Sequence, residues 1–354
     1  MNVDRRVTIK DIARVAGVSA QTVSRVINSS PDVSQQTRER VETLIAEMDY
    51  HPNTIARSLV KQSSTNIGVM VSSMKFTGPH LFLTGIERQA SEMGYSLILS
   101  LMEEPIPHDL QSQVRRLLAH QVSGIVWLVP EFNDNYHWWR QPEQASLLQK
   151  VPIVFMNCKP TPGFTVVAPD DRYGGYLATR HLLEQGYQNI AMITGPKDGW
   201  ESNERRLGYQ NALAEFGVIP SDRQIVEGNW LADGGAAGFL RLMDQFPEMD
   251  ALFASGDWMA LGALHAANSL GIKIPEQIAL VGYDNWLETE YFVPPLTSVN
   301  RQHIEVGKLA VRELHRKIMA LKAGRPVEDG SILLQPQLVV RQSSPRKKVL
   351  EELR

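Results

Sequence analysis

At 354 residues the chain is longer than one compact domain ordinarily holds. With 43% hydrophobic and 21% charged residues it can bury real cores, which excludes a disordered chain. A formal net charge of −3 excludes a polyanion binder along its whole length, so any basic surface must be local.

Basic charge does collect at the start of the chain. There Arg5, Arg6, Lys10, Arg14 and Arg25 are set against only Asp4 and Asp11. Thr8 can cap a helix, and Asp11 three residues on completes a capping box. Ile12, Ala13 and Ala16 then share one face. Gly17 stands where the chain must turn sharply. Ser19 caps a second helix whose inward face is Val23, Val26 and Ile27. Its outward face carries Gln21, Thr22, Ser24 and Arg25, side chains that read base edges and grip phosphates in a major groove. Ala20 beside them is small enough only to touch a thymine methyl. The bland alternative is two amphipathic helices of an ordinary helical domain. A third helix is predicted from about Ser34 to Met48, with Val41, Leu44, Ile45 and Met48 inward. The run 53–59 is about two helical turns, too short to be stable alone in water. In it Ala56 lets two copies approach, and Leu59 supplies an apolar wedge for a minor-groove step.

After a polar linker at 61–66 the text changes to alternating strands and helices. Strands are predicted at 67–71, 97–101, 125–129, 153–156, 190–194, 252–254 and 278–281. Helices are predicted at 82–93, 109–120, 174–185, 204–216 and 259–270. This alternation predicts parallel sheets covered on both faces, in two successive subdomains. The first ends near 159–163 and the second near 293–295, and 296–342 either extends the second or returns to the first. Catalytic motifs are missing: the glycines at 234–238 have the wrong spacing for a phosphate loop, and no zinc helix or nucleophile elbow occurs. No cofactor or metal is therefore expected. The single Cys158 rules out an intrachain disulfide and fits a reducing cytoplasm. The start of the chain lacks the apolar run of a signal peptide, and no stretch is apolar enough to span a bilayer.

Residues just beyond parallel strands face a cleft by topology. Ser72 and Phe76 follow the first strand, Asn157 the fourth, and Arg205 the turn at 194–196. Trp230, Asp257 and Asp284 follow later strands. Arginine, aspartate and asparagine bond adjacent hydroxyls, and tryptophan stacks on the apolar face of a sugar ring. Asp257 is equally a candidate cap for the next helix, and Asp170 and Asp171 read as caps.

The words TIKDIARVAGVS, QTVSRVIN and YHPNTIARSL resemble the headpiece and hinge of the lactose/galactose-repressor family. HLLEQGYQNIAMITGP, ERRLGYQNALAEFGV, DWMALGALHAANSLGIKIP, IALVGYDN, PPLTSV and LQPQLVVR resemble its body, so the likeness spans nearly the whole chain. It implies a multidomain fold: an all-α helix-turn-helix headpiece, and an α/β periplasmic-binding-protein-like core of two doubly wound parallel-sheet subdomains. The boundaries read as headpiece 1–51, hinge helix and linker 52–65, core 66–344 and tail 345–354. One subdomain takes 66–160 with part of 293–325, the other 161–292 with part of 326–344. The expected DNA contacts are Thr8, Ser19, Ala20, Gln21, Thr22, Ser24, Arg25, Asn28, Asn53, Ala56, Arg57 and Leu59. The resemblance puts Ser72, Asn157, Arg205, Trp230, Gly256 and Asp284 at effector-contacting positions, and Phe76, Asp257 and Trp258 join them as neighbours. Gly256 departs from the polar amide of sugar-binding relatives and leaves room for a larger ligand. The function implied is a cytoplasmic, homodimeric repressor, released from a near-palindromic double-stranded DNA operator by a small-molecule effector, a sugar, with no membrane partner. The dimer surface is expected on the first subdomain, around Lys75, Phe76 and Thr77 and the helix from Phe82. The tail lacks sustained heptads, so a tetramer is not expected. Two alternatives stay open: a corepressed regulator using a purine or a protein, and an exported-type sugar-binding protein.

Overall fold

The computed structural model describes residues 7–27, 30–50, 64–72, 74, 77–102, 110–132 and 135–345. The chain divides into two units, Met1–Ser64 and Thr65–Arg354.

The first unit packs three helices, α1 (Ile9–Ala16), α2 (Ala20–Ile27) and α3 (Gln35–Glu47). The Asp11 carboxylate accepts from the Thr8 amide at 3.0 Å and from the Thr8 hydroxyl at 2.6 Å. Thus the capping box forms as predicted, and the hydroxyl also bonds the carboxylate. Gly17 ends α1 at φ 65°, a left-handed turn, and the Val18 amide then reaches back to the Ala13 carbonyl. Ser19 caps α2 by accepting from the Thr22 amide at 3.0 Å, and Ser34 caps α3 through the Thr37 amide at 3.4 Å. Ile12, Ala13, Ala16, Val23, Val26 and Val41 are buried together, with Ile27, Leu44, Ile45 and Met48 packed around them.

The second unit contains two six-stranded sheets. The first is built from β1 (Asn66–Val71), β2 (Ser96–Leu101), β3 (Ile125–Leu128), β4 (Ile153–Met156), β5 (Thr165–Pro169) and β11 (Ser331–Leu334). The second uses β6 (Ile190–Thr194), β7 (Ile225–Glu227), β8 (Ala251–Ala254), β9 (Ala279–Tyr283), β10 (Thr297–Asn300) and β12 (Gln337–Val339). Strand orders are β11-β5-β4-β3-β1-β2 and β12-β10-β9-β8-β6-β7, parallel except for the antiparallel β12. Around them pack α4 (Thr77–Glu92), α5 (Leu110–Ala119), α6 (Pro142–Lys150), α7 (Asp171–Glu184), α8 (Trp200–Glu215), α9 (Ala232–Gln245), α10 (Asp257–Ser269) and α11 (His303–Lys322). Because helices cover both faces, alternate residues of one strand enter two cores. Val69 and Val71 pack with Phe82 and Leu314 on one face, while Met70 packs with Trp127 and Phe155 on the other. Strand order reverses at β1/β3 and at β6/β8, so each sheet has a switch point where its carboxyl ends open a crevice.

Both subdomains are doubly wound, as the alternation predicts, but their boundaries differ from the expectation. The first sheet does not end at 160, because β5 pairs in parallel with β4. The loop at 160–163 reads as a domain end but only connects two neighbouring strands. The segment 293–325 divides: β10 joins the second sheet, whereas α11 packs on α4 and the first sheet. The segment 326–344 divides likewise, β11 pairing with β5 and β12 with β10. The glycines at 234–238 do not form a loop. They lie in α9, where a Cβ at Gly235 would stand 2.1 Å from the Met259 carbonyl oxygen. The facing Gly262 on α10 is equally close, its Cβ position 1.8 Å from the Ala232 oxygen.

That contact makes a prediction. Gly262→Ala gains ~1 kcal/mol of helix propensity but forces two backbones apart, at ~1–3 kcal/mol for an overpacked core. The net effect should be destabilising, read as a lower urea midpoint. A midpoint at or above wild type would show that α9 and α10 have room to separate.

Candidate functional site

In the first unit, Gln21 and Arg25 lie exposed on α2, one turn apart and opposite the buried Val23 and Val26. A side-chain amide and a guanidinium on one helix face can bond adenine and guanine edges. Thr8, Ser19 and Thr22 are engaged in the caps; the Ser19 and Thr22 hydroxyls also bond each other at 2.9 Å. Ala20 and Ser24 are half-buried. Asn28, Asn53, Ala56, Arg57, Leu59 and Phe76 lie outside the described residues.

In the second unit, the site grows from a buried ion cluster. Arg205, on α8, donates from Nε to Asp171 at 3.1 Å, from Nη1 to the Ser255 carbonyl and from Nη2 to Glu201 at 3.3 Å. Arg301, just after β10, donates from Nη2 to the other Asp171 oxygen at 2.9 Å and lies 3.1 Å from Glu201. The Tyr283 hydroxyl also donates to Asp171, at 2.9 Å, and the Arg205 guanidinium lies over the Tyr283 ring at 3.9 Å. Burial opposes charge on both arginines. The carboxylates of Asp171 and Asp284, joined by Glu201 for Arg301, more than offset this and hold both guanidiniums charged. Burial also pushes Glu201 above the ordinary carboxylate range.

Against this cluster stands Asp284 at the end of β9, its Oδ1 3.6 Å from Arg301 Nη1 and 3.6 Å from His303 Nε2. Burial would raise Asp284, but His303, Arg205 and Arg301 outweigh it and hold the carboxyl below its ordinary value. His303 is pushed down by burial, so it is neutral near pH 7. Its ring packs on Phe82 of the first subdomain at 4.7 Å. Several enclosed polar atoms here have no hydrogen-bond partner among the described residues, four of them Asp284 Oδ1, Arg301 Nε, His303 Nε2 and, at the carboxyl end of β4, Asn157 Oδ1. Buried polar groups are ordinarily paired, so such a grouping marks a place for ligand atoms. Trp230 lies flat on Gly195, where a Cβ would stand 2.0 Å from the ring, and 5.0 Å from the Arg205 guanidinium. A Cβ on Gly256 would stand 3.6 Å from the Trp230 ring and 4.0 Å from Asp284 Oδ2, so a longer side chain there fills this space. Asn157, Trp230, Asp284 and Asn285 all have positive φ, 53°, 67°, 109° and 53°, backbone strain of the kind that gathers at functional sites.

The expected cleft residues thus sort into three groups. Arg205, Trp230, Gly256 and Asp284 come together, and Arg205 rather than Arg206 is the buried guanidinium. Ser72 and Asn157 are buried at the carboxyl ends of β1 and β4, on the cleft side of the first sheet. Asp257 is a correction. Its Oδ1 accepts from Ser298 at 2.6 Å and its Oδ2 from the Trp286 amide at 3.0 Å, so both oxygens are engaged by the protein. Burial and the Asp284 charge push the Asp257 carboxyl up, against the hydrogen bonds from Ser298 and the Trp286 amide. Trp258 stands at the rim, its indole N–H donating to Thr77 of the first subdomain at 3.3 Å. Phe82, at the start of the expected dimer helix, is buried against His303. Asp170 caps α7 through the Tyr173 amide at 2.9 Å, as read; Asp171 does not cap and is the centre of the cluster. Sequence reasoning also passed over Glu201, Tyr283, Arg301 and His303. The available signal was that Arg301 follows a strand, as Asp284 does, but β10 was not identified as one.

Asp171→Asn keeps the side-chain shape and removes the counter-charge of two buried guanidiniums. Breaking such a pair costs ~3–5 kcal/mol, against ~0.5–2 kcal/mol for losing the cap in Asp170→Ala. Urea denaturation should separate the two variants by that margin. Equal losses would remove Asp171 from the centre of the cluster.

A family model described as bacterial regulatory proteins, lacI family, matches residues 8–53. One described as a periplasmic binding protein-like domain matches 179–344. The HTH-type transcriptional repressor PurR of Mannheimia succiniciproducens is 30% identical, over 95% of this chain and 98% of that protein. The HTH-type transcriptional regulator GalR of Escherichia coli is 32% identical, over 95% of each chain. The crystal structure of the Lac repressor dimer bound to operator and the anti-inducer ONPF matches with a TM-score of 0.82 at 29% identity, covering 96% of this chain and 100% of that one. Among the described residues no helix is long and apolar enough to cross a membrane. With full-length relatives at this identity, a helix-turn-helix unit and a two-sheet cleft, the chain belongs to the lacI family of bacterial regulatory proteins and is a DNA-binding transcriptional repressor, not an enzyme.

Proposed function

We propose that the repressor acts in the cytoplasm as a homodimer on a near-palindromic operator, and that a neutral sugar in the cleft releases it. The observation that carries the ligand class is the set of four unpartnered atoms. Asn157 Oδ1 and Asp284 Oδ1 accept, Arg301 Nε donates, and His303 Nε2 does either with its tautomer. A hydroxyl both donates and accepts, so adjacent hydroxyls match this set where a purely acceptor or purely donor ligand does not. The Trp230 ring beside bare Gly256 suits the apolar face of a sugar ring. The charges of Arg205 and Arg301 are already balanced by Asp171, Glu201 and Asp284, which favours an uncharged ligand.

Dimerisation is supported by apolar surface. β2 is an edge strand with Leu99 and Leu101 about half exposed, and Leu287, Tyr291 and Val293 stand out from the second subdomain. In this reading Ser72, Asn157, Arg205, Trp230 and Asp284 face the effector, and Gln21 and Arg25 face base edges.

The test is fluorescence anisotropy on an operator selected from random DNA. A neutral sugar from a panel with sugar phosphates and nucleobases should weaken operator binding about 5–150-fold, the usual range of coupling. Asp284→Asn should bind operator as wild type does and lose this response; a retained response removes Asp284 from the ligand site. A ligand that tightens operator binding makes the protein corepressed. Separately, Arg25→Ala should cost ~1–3 kcal/mol per half-site and relax the preference at one base pair. An equal loss on all sequences makes Arg25 a phosphate contact.

A further inference from the structure

The first subdomain has a second cavity, at the opposite end of its sheet from the effector cleft. Its volume is about 730 Å³, within the ordinary range for small-molecule sites. The cleft uses the carboxyl ends of β1 and β4. This cavity lies at the amino ends of β4 and β5, at Ile153 and Thr165, where α6 and the last turns of α11 meet. Pro142, Pro152 and Pro162 line it, and the rings of Trp139, Phe155 and Phe164 form one packed group, Phe155 stacked on Phe164 at 4.4 Å and edge-on to Trp139 at 5.3 Å.

The charged groups of this cavity are mostly cationic. Lys317 is buried, its ammonium donating to Asp329 at 2.6 Å and to Thr165 at 2.8 Å. Arg140 is held by Glu131 at 2.7 Å. Arg325 is exposed at the rim and makes no ion pair among the described residues. Three cations therefore line the cavity against one carboxylate, Asp329. The buried Trp139 also has an indole N–H without a hydrogen-bond partner, a donor left for an acceptor atom.

We propose that this cavity is a second ligand site, for a small aromatic or heteroaromatic acid whose ring lies among Trp139, Phe164 and the prolines and whose carboxylate or phosphate meets Arg325. The same helix connects it to the effector cleft. α11 has 20 residues, about 30 Å of helix. Its first residue is His303 in the cleft, and Lys317 and Leu321 near its other end line the cavity. A ligand that shifts the end of α11 shifts His303 with it, so each ligand alters the affinity of the other by the same factor. Only this coupling rests on the proposed effector site; the cavity stands on its own geometry.

The experiment uses the full chain, without DNA or sugar in its first arm. Titration calorimetry with phenyl phosphate and with 4-hydroxybenzoate should give saturable binding at one site per chain for at least one of them. Inorganic phosphate and benzyl alcohol, each supplying half of the chemistry, should bind at least about tenfold more weakly, as should the positive probe to Arg325→Ala, the loss expected for a hydrogen bond to a charged group. Val327→Trp, which fills the cavity from its wall, should abolish binding. Without probe, Arg325→Ala should hold operator as wild type does. Absence of saturable binding by both acids overturns the proposal, as does binding indifferent to both variants. Inorganic phosphate binding as well as phenyl phosphate reduces the site to a surface cation and also overturns it. In a second arm the probe should change the sugar concentration that releases operator; an unchanged value with intact probe binding overturns the coupling alone, and release by no sugar overturns the effector reading while leaving the cavity standing.

Discussion

A single carboxylate, Asp171, holds the first two of the three places where the chain passes between the sheets. Asp171 opens α7, directly after β5 leaves the first sheet. Arg301 follows β10 as the chain returns to pack α11 on that sheet. Their 2.9 Å bond, across 130 residues of sequence, ties the crossovers together, and Arg205 and Tyr283 bind the same carboxylate from the second subdomain. Taking these charges out of water costs several kcal/mol per ion, which is recovered only if every partner is in place. The cluster therefore gains little stability relative to a well-packed apolar core. Its consequence is geometric: Arg301 is oriented beside Asp284, and the next helix turn sets His303 against Phe82. The candidate site and two of the crossovers between subdomains share one buried network.

What could be read from sequence follows the range of the interactions involved. The headpiece was readable because its signals are local. Thr8 and Asp11, Gly17, Ser19 and Ser34 act within a few residues of their own helices, and the inward faces follow from a 3.6-residue period. The strand–helix alternation was equally readable, since strands buried on both faces are short, β-branched runs. The boundaries were not. Whether β5 belongs to the sheet before it or after it depends on its pairing with β4, and nothing within 165–169 carries that choice. α9 was hidden by the glycines that let α10 approach it, because an adaptation to close packing reads locally as a turn.

The candidate site was readable only to the extent that topology alone places residues. Arg205, Trp230 and Asp284 follow turns or strands that periodicity reveals. Asp171 has the sequence context of a helix cap, the role its neighbour Asp170 does perform. Only the distant arginines distinguish the two. Asp257 shows the reverse: strand-end position suggests a ligand contact, but Ser298 and the Trp286 amide occupy both its oxygens. Residue type and topology nominate a carboxylate; its hydrogen-bond partners decide its role.

The same reasoning bears on how the cleft responds. Its two walls touch directly. Phe132 and Gly199 form an antiparallel bridge, the Trp200 amide donates to the Glu131 carbonyl at 3.1 Å, and Trp258 reaches Thr77. Yet the same arrangement encloses four polar atoms with no hydrogen-bond partner among the described residues, each costing ~1–3 kcal/mol relative to its hydrated state. The bridging contacts return ~0.5–1.5 kcal/mol apiece, less than that cost. A molecule that satisfies the enclosed atoms removes the penalty only when the walls are together, and it shifts the population toward closure by its differential affinity for that state. On the proposed function, the incomplete bonding of Asn157, Asp284, Arg301 and His303 is what a small polar ligand acts on: full internal pairing would give a more stable cleft with nothing for an effector to change.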